Sequence, residues 1–161
     1  MKVVFLDIDG VLNSVMYDRC RIEGRPEERI DLSRVKLLAD IVNATGAKIV
    51  LSSTWREDRD RSQELCGEDG RYIDRCLARH GLSIMDKTPC LDDSDDRRIE
   101  ILAWLAHHRA EVESFVILDD ISCGWGELRH RVIITDPYGY GLEETHVQKA
   151  IEILTSRVRR I

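Results

Sequence analysis

Two aspartates at the end of the first apolar stretch are the residues best suited to chemistry in this chain. Asp7 and Asp9 follow the apolar residues 3–6 and precede Gly10, which breaks the pattern. Because side chains alternate along a strand, both carboxylates leave the chain on the same side. Like charges that lie close together require a cation, a shared proton or a charged substrate. The spacing therefore indicates a metal or phosphate site, and an ordinary acidic turn is the alternative interpretation.

Two later strand patterns also end in polar residues. One ends in Ser52 and Ser53, and another ends in Asp119 and Asp120. The carboxyl ends of parallel strands meet at one edge of a sheet, so these groups are expected to lie beside Asp7. A set of oxygen ligands is typical of Mg²⁺, which usually keeps several waters and is completed by phosphate. The pattern therefore predicts Mg²⁺ and phosphoryl chemistry.

Phosphoryl transfer would give these residues separate tasks. One carboxylate can attack phosphorus to form an aspartyl-phosphate, and a second acid can protonate the leaving oxygen and later deprotonate the attacking water. A hydroxyl at a strand end can donate a hydrogen bond to a phosphoryl oxygen, and a fixed cation can balance the transferred charge. The candidates for that cation are Lys87, Arg97 and Arg98, and an exposed surface charge is the alternative for each of them.

The hydrophobic pattern predicts the sheet that would bring these groups together. Strands are predicted within residues 2–8, 47–53, 82–90, 114–122 and 131–136. Helices are predicted within residues 32–46, 54–81, 97–108 and 142–158, and the second of these segments is interrupted near Gly67–Gly70. Asp31 is a predicted N-cap and Gly46 a predicted helix end, whereas residues 10–29 read as an irregular connection. Strands that alternate with helices predict an α/β protein, a three-layer α/β/α sandwich around a mainly parallel sheet.

Composition excludes several other classes of protein. The chain has 161 residues, of which 43% are hydrophobic and 34% charged, as expected for one globular domain. It has no apolar stretch that suits a membrane span and no secretion signal, so a cytoplasmic protein is expected. The five cysteines form no CxxC pair, which argues against disulfides and structural zinc. The net charge of −6 does not favour nucleic acid, and the arginine clusters at 25–29, 55–61 and 95–98 read as solvated surface.

The ordered motifs resemble those of the haloacid dehalogenase (HAD) superfamily of phosphohydrolases. Asp7–Asn13 (DIDGVLN) is similar to its first motif, Ile49–Ser53 (IVLSS) to its second, Arg97–Ile101 (RRIEI) to its third and Val116–Asp120 (VILDD) to its fourth. The resemblance implies a Rossmannoid, HAD-like sheet and Mg²⁺ as the cofactor. The segments LDIDGVLN, LSSTWR and LDD are similar to the corresponding sequences of small HAD domains associated with RNA-repair proteins.

The resemblance also implies a role for each carboxylate. Asp7 would be the nucleophile and a Mg²⁺ ligand. Asp9 would be the general acid and base, and its backbone carbonyl would also bind the metal. Asp120 would hold Mg²⁺, and Asp119 would support it. Dehalogenases of the superfamily lack an acid at the position of Asp9, so a phosphatase is favoured over a dehalogenase.

The remaining expectations concern phosphate, domain organisation and substrate. By resemblance Ser52 or Ser53 would bind the phosphoryl group, assisted by Arg97. The connections that carry cap domains in many relatives are short here, so a single HAD-like domain over residues 1–161 without a large cap is expected. We therefore expect a Mg²⁺-dependent phosphomonoester hydrolase whose open site takes a phosphorylated small molecule or nucleic-acid end, or is completed by a partner protein. The alternative is a non-catalytic HAD-fold regulatory or interaction domain.

Overall fold

The computed structural model of the protein describes residues 1–20, 28–60, 62, 64–91 and 96–156. Five strands form one parallel sheet. Their bounds are β1 Lys2–Leu6, β2 Lys48–Leu51, β3 Ile84–Lys87, β4 Ser114–Asp119 and β5 Val132–Ile134. The strand order is β3-β2-β1-β4-β5, so the first strand lies at the centre. The predicted α/β class with a parallel sheet is confirmed.

Helices cover both faces of this sheet. The α-helices are α1 Val15–Cys20, α2 Leu32–Thr45, α3 Glu68–Ala78, α4 Arg97–His107 and α5 Glu144–Thr155. Val4 and Leu6 of β1 pack in the larger core with α2, α3 and α5, whereas Val3 and Phe5 pack in a smaller core with α4. Alternate residues of one strand thus reach opposite layers, as the pleat requires. The predicted three-layer sandwich is confirmed.

The start and end of α2 show how local signals set helix bounds. Asp31 Oδ1 accepts a hydrogen bond from the Ser33 N–H at 2.8 Å, which satisfies a free donor of the first turn. Gly46 has a φ of 69°, and its N–H donates to the Val42 carbonyl at 2.8 Å. Both predicted bounds are confirmed. Within the described ranges, no helix is both long enough and apolar enough to cross a bilayer.

Two segments differ from their predicted structure. The segment predicted to be helical over residues 54–81, with an interruption near Gly67–Gly70, is a short 3₁₀ helix, Thr54–Asp58, followed by α3, which begins at Glu68. A Cβ on Gly70 of α3 would lie 2.4 Å from the Asp58 carbonyl oxygen, so the two helices meet at a close approach that only glycine permits. The connection after Gly10 contains the short helix α1, because the Ser14 hydroxyl accepts from the Tyr17 N–H at 3.2 Å and caps it. Residues 157–158 of the predicted closing helix lie outside the described residues.

Candidate active site

The candidate site lies at the carboxyl end of the three central strands. The last residues of β1 and β2 are level with each other and with the penultimate residue of β4. The next row therefore consists of Asp7, Ser52 and Asp119, on three adjacent strands. The Ser52 N–H donates to the β1 carbonyl before Asp7 at 2.9 Å, which continues the ladder into this row. Alternation places the row on the side where Val3 and Phe5 meet α4.

Arg97 joins this row from the start of α4. Its Nη1 lies 2.7 Å from Oδ2 of Asp7 and 2.7 Å from Oδ2 of Asp119. Burial opposes the charge on the guanidinium, but the attraction of the two carboxylates outweighs burial and raises the pKa of Arg97. The cation of the site is therefore permanently charged and bridges two of its acids.

The acidic pair Asp119–Asp120, at the end of β4, lies in surroundings that disfavour its negative charge. Burial raises the pKa of Asp119 to about 6, and the negative charge of Asp7 adds to this effect, while Arg97 partly offsets it. Burial and the charge of Asp7 likewise raise the pKa of Asp120. One guanidinium does not neutralise three carboxylates, so the site has a deficit of positive charge.

A glycine allows the third carboxylate to enter the site. Gly10 has a φ of 74°, and a Cβ built on it would lie 2.6 Å from Oδ2 of Asp120. The Thr135 hydroxyl donates to the Gly10 carbonyl at 2.8 Å and so holds this turn against β5. The glycine of the DIDG sequence is therefore required both by backbone conformation and by the closeness of Asp120.

The donor set of the site fits a hard dication. Asp7, Asp119 and Asp120 each offer one oxygen, and these oxygens lie within 4.8 Å of one another. Oxygen ligands and excess negative charge are what Mg²⁺ requires. The carboxylate of Asp9 is not one of the three, and only its backbone carbonyl was expected to bind metal.

Asp9 is exposed and held by two side chains. Its Oδ1 accepts from the Asn13 amide at 2.8 Å, and its Oδ2 accepts from the indole N–H of Trp55 at 3.0 Å. Asn13 Oδ1 in turn accepts from the Gly10 N–H at 2.9 Å. The carboxylate therefore has a fixed orientation although it lies on a turn. The sequence did not predict the contact with Trp55.

The two serines after β2 have different environments, although both are fully buried. Ser53 Oγ caps the 3₁₀ helix by accepting from the Trp55 N–H at 3.4 Å. Ser52 Oγ has no hydrogen-bond partner among the residues that the structure describes. A buried hydroxyl without a partner is costly, so it is an available donor for a ligand in the row.

The other two candidate cations bond elsewhere. Arg98 pairs with Glu127 at 3.0 Å rather than with a carboxylate of the row. Lys87 Nζ donates to the carbonyl of Arg56 at 2.8 Å and also to that of Arg59, and so it fastens the chain after β2. Of the three candidates, Arg97 is the one that the fold brings to the carboxylates.

A buried ion pair connects the second strand end to α4. Arg56 Nη2 lies 2.5 Å from Glu100 Oε1, and both side chains are about 6% exposed. Arg56 Nη1 also donates to the carbonyls of Ser52 and Ser53, each at 3.0 Å. The interpretation of residues 55–61 as solvated surface is wrong at Arg56, because an acid on a distant helix supplies its counter-charge. Glu100 lies one turn after Arg97, so the pair ties together the elements that carry the serine and the arginine.

The parallel sheet and the acidic site at its carboxyl edge together define an HAD-like α/β domain. A family model described as the HAD domain in Swiss Army Knife RNA repair proteins matches residues 3–147. The chain belongs to this family, which confirms the HAD resemblance drawn from the four motifs. Among curated proteins and among solved structures, no match was found.

Proposed function

We propose that the protein is a Mg²⁺-dependent phosphatase that hydrolyses phosphomonoesters through an aspartyl-phosphate at Asp7. The observation that carries this proposal is the row of Asp7, Ser52 and Asp119 with Arg97 above it. A nucleophile, a hydroxyl donor and a guanidinium on one side of three adjacent strands suit a phosphoryl group with several anionic oxygens. Membership of an HAD family supports phosphohydrolase chemistry at the level of the superfamily.

The metal would be held by Asp7, Asp119 and Asp120, with the Asp9 backbone carbonyl as a further ligand. Support comes from the closeness of the three carboxylates and from their excess negative charge. Bound Mg²⁺ supplies positive charge to the phosphoryl oxygens and thereby stabilises the charge that develops during transfer.

The chain's own residues would then act in two steps. In the first, a carboxylate oxygen of Asp7 forms a bond to phosphorus while the bond from phosphorus to the ester oxygen breaks, and Asp9 gives that oxygen a proton. In the second, Asp9 takes a proton from a water that attacks phosphorus, so that inorganic phosphate leaves and Asp7 is restored. Ser52 and Arg97 would donate hydrogen bonds to the phosphoryl oxygens throughout.

We propose a phosphorylated nucleic-acid end as the substrate, ahead of a small phosphorylated molecule. The family description, which names RNA repair proteins, supports this choice. The net charge of −6 opposes strong binding to a long polyanion, so recognition would be confined to the end of the strand or shared with a partner protein. A large cap domain is not expected above the site, which leaves room for such a substrate.

A non-catalytic regulatory or interaction domain is the second candidate function. It is favoured by the two ion pairs through which Arg97 already bridges Asp7 and Asp119. A protein that uses this cluster only for structure would keep these pairs permanently. A phosphatase would have to redirect Arg97 toward the substrate.

Hydrolysis of an aryl phosphate with and without Mg²⁺ distinguishes the two candidates. We expect metal-dependent turnover by the wild type and none above background by Asp7→Asn. The matched control is Asp40→Asn, which changes an aspartate of α2 that pairs with Lys36 at 3.0 Å, and it should behave as wild type. Turnover that persists in Asp7→Asn would refute the assignment of Asp7 as the nucleophile. Absence of turnover on aryl phosphates and on 3′- and 5′-phosphorylated oligonucleotides would favour the interaction domain. The oligonucleotides also test the substrate class.

A further inference from the structure

The indole of Trp55 connects the acid–base residue to a cluster outside the row. Its Nε1 donates to Oδ2 of Asp9 at 3.0 Å. The residue lies in the short 3₁₀ helix after β2, and 46 positions separate it from Asp9 in the chain. Trp125 differs, since it packs in the smaller core, is 3% exposed and donates to a backbone carbonyl. The bond from Trp55 instead ends on a functional carboxylate.

A stacked arginine holds the Trp55 ring in place. The guanidinium carbon of Arg29 lies 4.9 Å from the ring centroid of Trp55 and 4.9 Å from that of Tyr72. Asp69 pairs with Arg29 at 2.6 Å. The Tyr72 hydroxyl accepts from the Arg29 backbone N–H at 2.8 Å. The guanidinium is therefore fixed against two rings at once, so rotation of the indole would break several contacts.

We infer that Trp55 is a positioning residue for Asp9, and that Arg29 and Tyr72 hold the indole in the position that this requires. The inference rests on the proposed function, in which Asp9 moves the proton. Asn13 and Trp55 each occupy one carboxylate oxygen of Asp9. Each oxygen keeps a second lone pair, and one of these can carry the proton to the leaving group. Because the Asp9 carboxylate is held in one orientation, its proton can reach the ester oxygen without a change of rotamer.

The leaving group of the substrate provides the kinetic test. Proton donation matters for an alkyl phosphate, whose leaving oxygen is strongly basic, and matters little for a nitrophenyl phosphate. Trp55→Phe keeps an aromatic ring at this position and removes the indole N–H together with the ring that carries it, as the control substitution below also does. We expect kcat/KM to fall about tenfold or more with the alkyl ester and less than about threefold with the nitrophenyl ester. This ratio follows the steps up to formation of the aspartyl-phosphate, so slow hydrolysis of that intermediate does not obscure it.

A matched control separates positioning from packing. Trp104→Phe also removes an indole N–H that donates to an aspartate, since Trp104 donates to Asp86 at 2.8 Å. That contact lies at β3 and α4, away from Asp9. We expect this variant to change kcat/KM for the two esters by the same factor. Arg29→Gln leaves the indole N–H in place. It should lower kcat/KM for the alkyl ester by about two- to fivefold and leave kcat/KM for the nitrophenyl ester unchanged. Equal losses with both esters in Trp55→Phe would overturn the inference.

A second readout does not depend on activity. The chain has three tryptophans, so a nitrogen–proton correlation spectrum of the metal-free protein should show three indole signals, assigned with the two Trp→Phe variants. We expect Asp9→Asn to shift the Trp55 signal and to leave the Trp104 signal in place. An unshifted Trp55 signal would refute the contact. If Asp9→Asn shifts the Trp55 signal but the wild-type protein turns over neither ester, the contact would be supported and the proposed phosphatase activity refuted.

Discussion

We expect Asp119→Asn to flatten the pH dependence of stability in the metal-free protein. Asp119 is fully buried beside Asp7, and its pKa is about 6, against 3.8 as an ordinary value. The folded protein therefore binds this proton more tightly than the unfolded chain does. The resulting stability is fully present below about pH 3.8 and is lost as the pH rises through about 6. Asparagine cannot ionise, so the variant should lack this dependence.

The two pKa values give the expected size of the effect. Each tenfold difference in proton affinity is equivalent to about 1.4 kcal/mol, so the complete loss is about 3 kcal/mol. Between about pH 5 and about pH 8, the part that is lost is about 1.4 kcal/mol, because the rest has already been lost below about pH 5, where the unfolded chain releases the proton and the folded protein keeps it. Between these two pH values, the free energy of unfolding should therefore fall by about 1.4 kcal/mol more in the wild type than in the variant.

Urea unfolding with a chelator present, at about pH 5 and about pH 8, measures this difference. The comparison between pH values is preferred to the absolute stability, because asparagine also changes the bonds to Arg97 and to the Ile121 N–H. Mg²⁺ added at about pH 8 should stabilise the wild type more than the variant, since the ion supplies the missing positive charge. Equal pH dependence in both proteins would refute the electrostatic description of the site.

Three further substitutions test other parts of the site. Gly10→Ala places a methyl carbon 2.6 Å from Asp120, so Mg²⁺ affinity measured by calorimetry should fall about tenfold or more; unchanged affinity would contradict the close approach. Glu100→Gln leaves the buried guanidinium of Arg56 without its counter-charge, and urea unfolding should show a loss of about 3 kcal/mol, a loss below about 1 kcal/mol being evidence against the buried pair. Ser52→Ala removes a hydroxyl without a described partner, so stability should change by less than about 1 kcal/mol while kcat/KM falls at least about tenfold.

Local signals in the sequence were sufficient for the sheet and for helix α2. The apolar stretches marked each strand, and the polar residues after them marked the strand ends. Asp31 and Gly46 fixed α2, because an N-cap oxygen and a left-handed glycine act within a few residues of the chain. The 3₁₀ helix after β2 was not predicted as a separate element. Ser53 caps its start locally, but α3 approaches closely at Asp58, where the 3₁₀ helix ends, and that contact is not local in the sequence.

The charged segment after β2 shows what a single sequence does not contain. Arg56 is buried because Glu100 lies opposite it, and Trp55 is oriented because Asp9 accepts its N–H. These partners are separated by 44 and 46 positions in the chain. Charge runs usually lie in solvent, so a local rule gave the wrong environment for Arg56. Only the parallel sheet brings such distant positions to one edge.

The choice between Arg97 and Arg98 could have been made from helix phase. Arg97, Ile101 and Trp104 are spaced by four and then three residues, so they share one face of α4. Ile101 and Trp104 pack in the smaller core, on the side of the sheet that Asp7 also faces. Arg98 lies about 100° around the helix from this face. An amphipathic helix therefore orients its first residue as well as its apolar ones, and it directs Arg97 toward the carboxylate.

Strand alternation resolves the two serines in the same way. Val50 of β2 packs in the smaller core, so Ser52 faces the layer of α4 and Ser53 faces away from it. Asp119 is two residues after Ile117, which packs in that same core. One pleat thus selects the hydroxyl and the carboxylate that lie on either side of Asp7, and helix phase adds the guanidinium. A phosphoryl group would offer oxygens to the Ser52 hydroxyl and the Arg97 guanidinium while its phosphorus faces Asp7. A cation held by Asp119 would offset the remaining negative charge, and this combination is the physical reason for proposing a phosphoryl group.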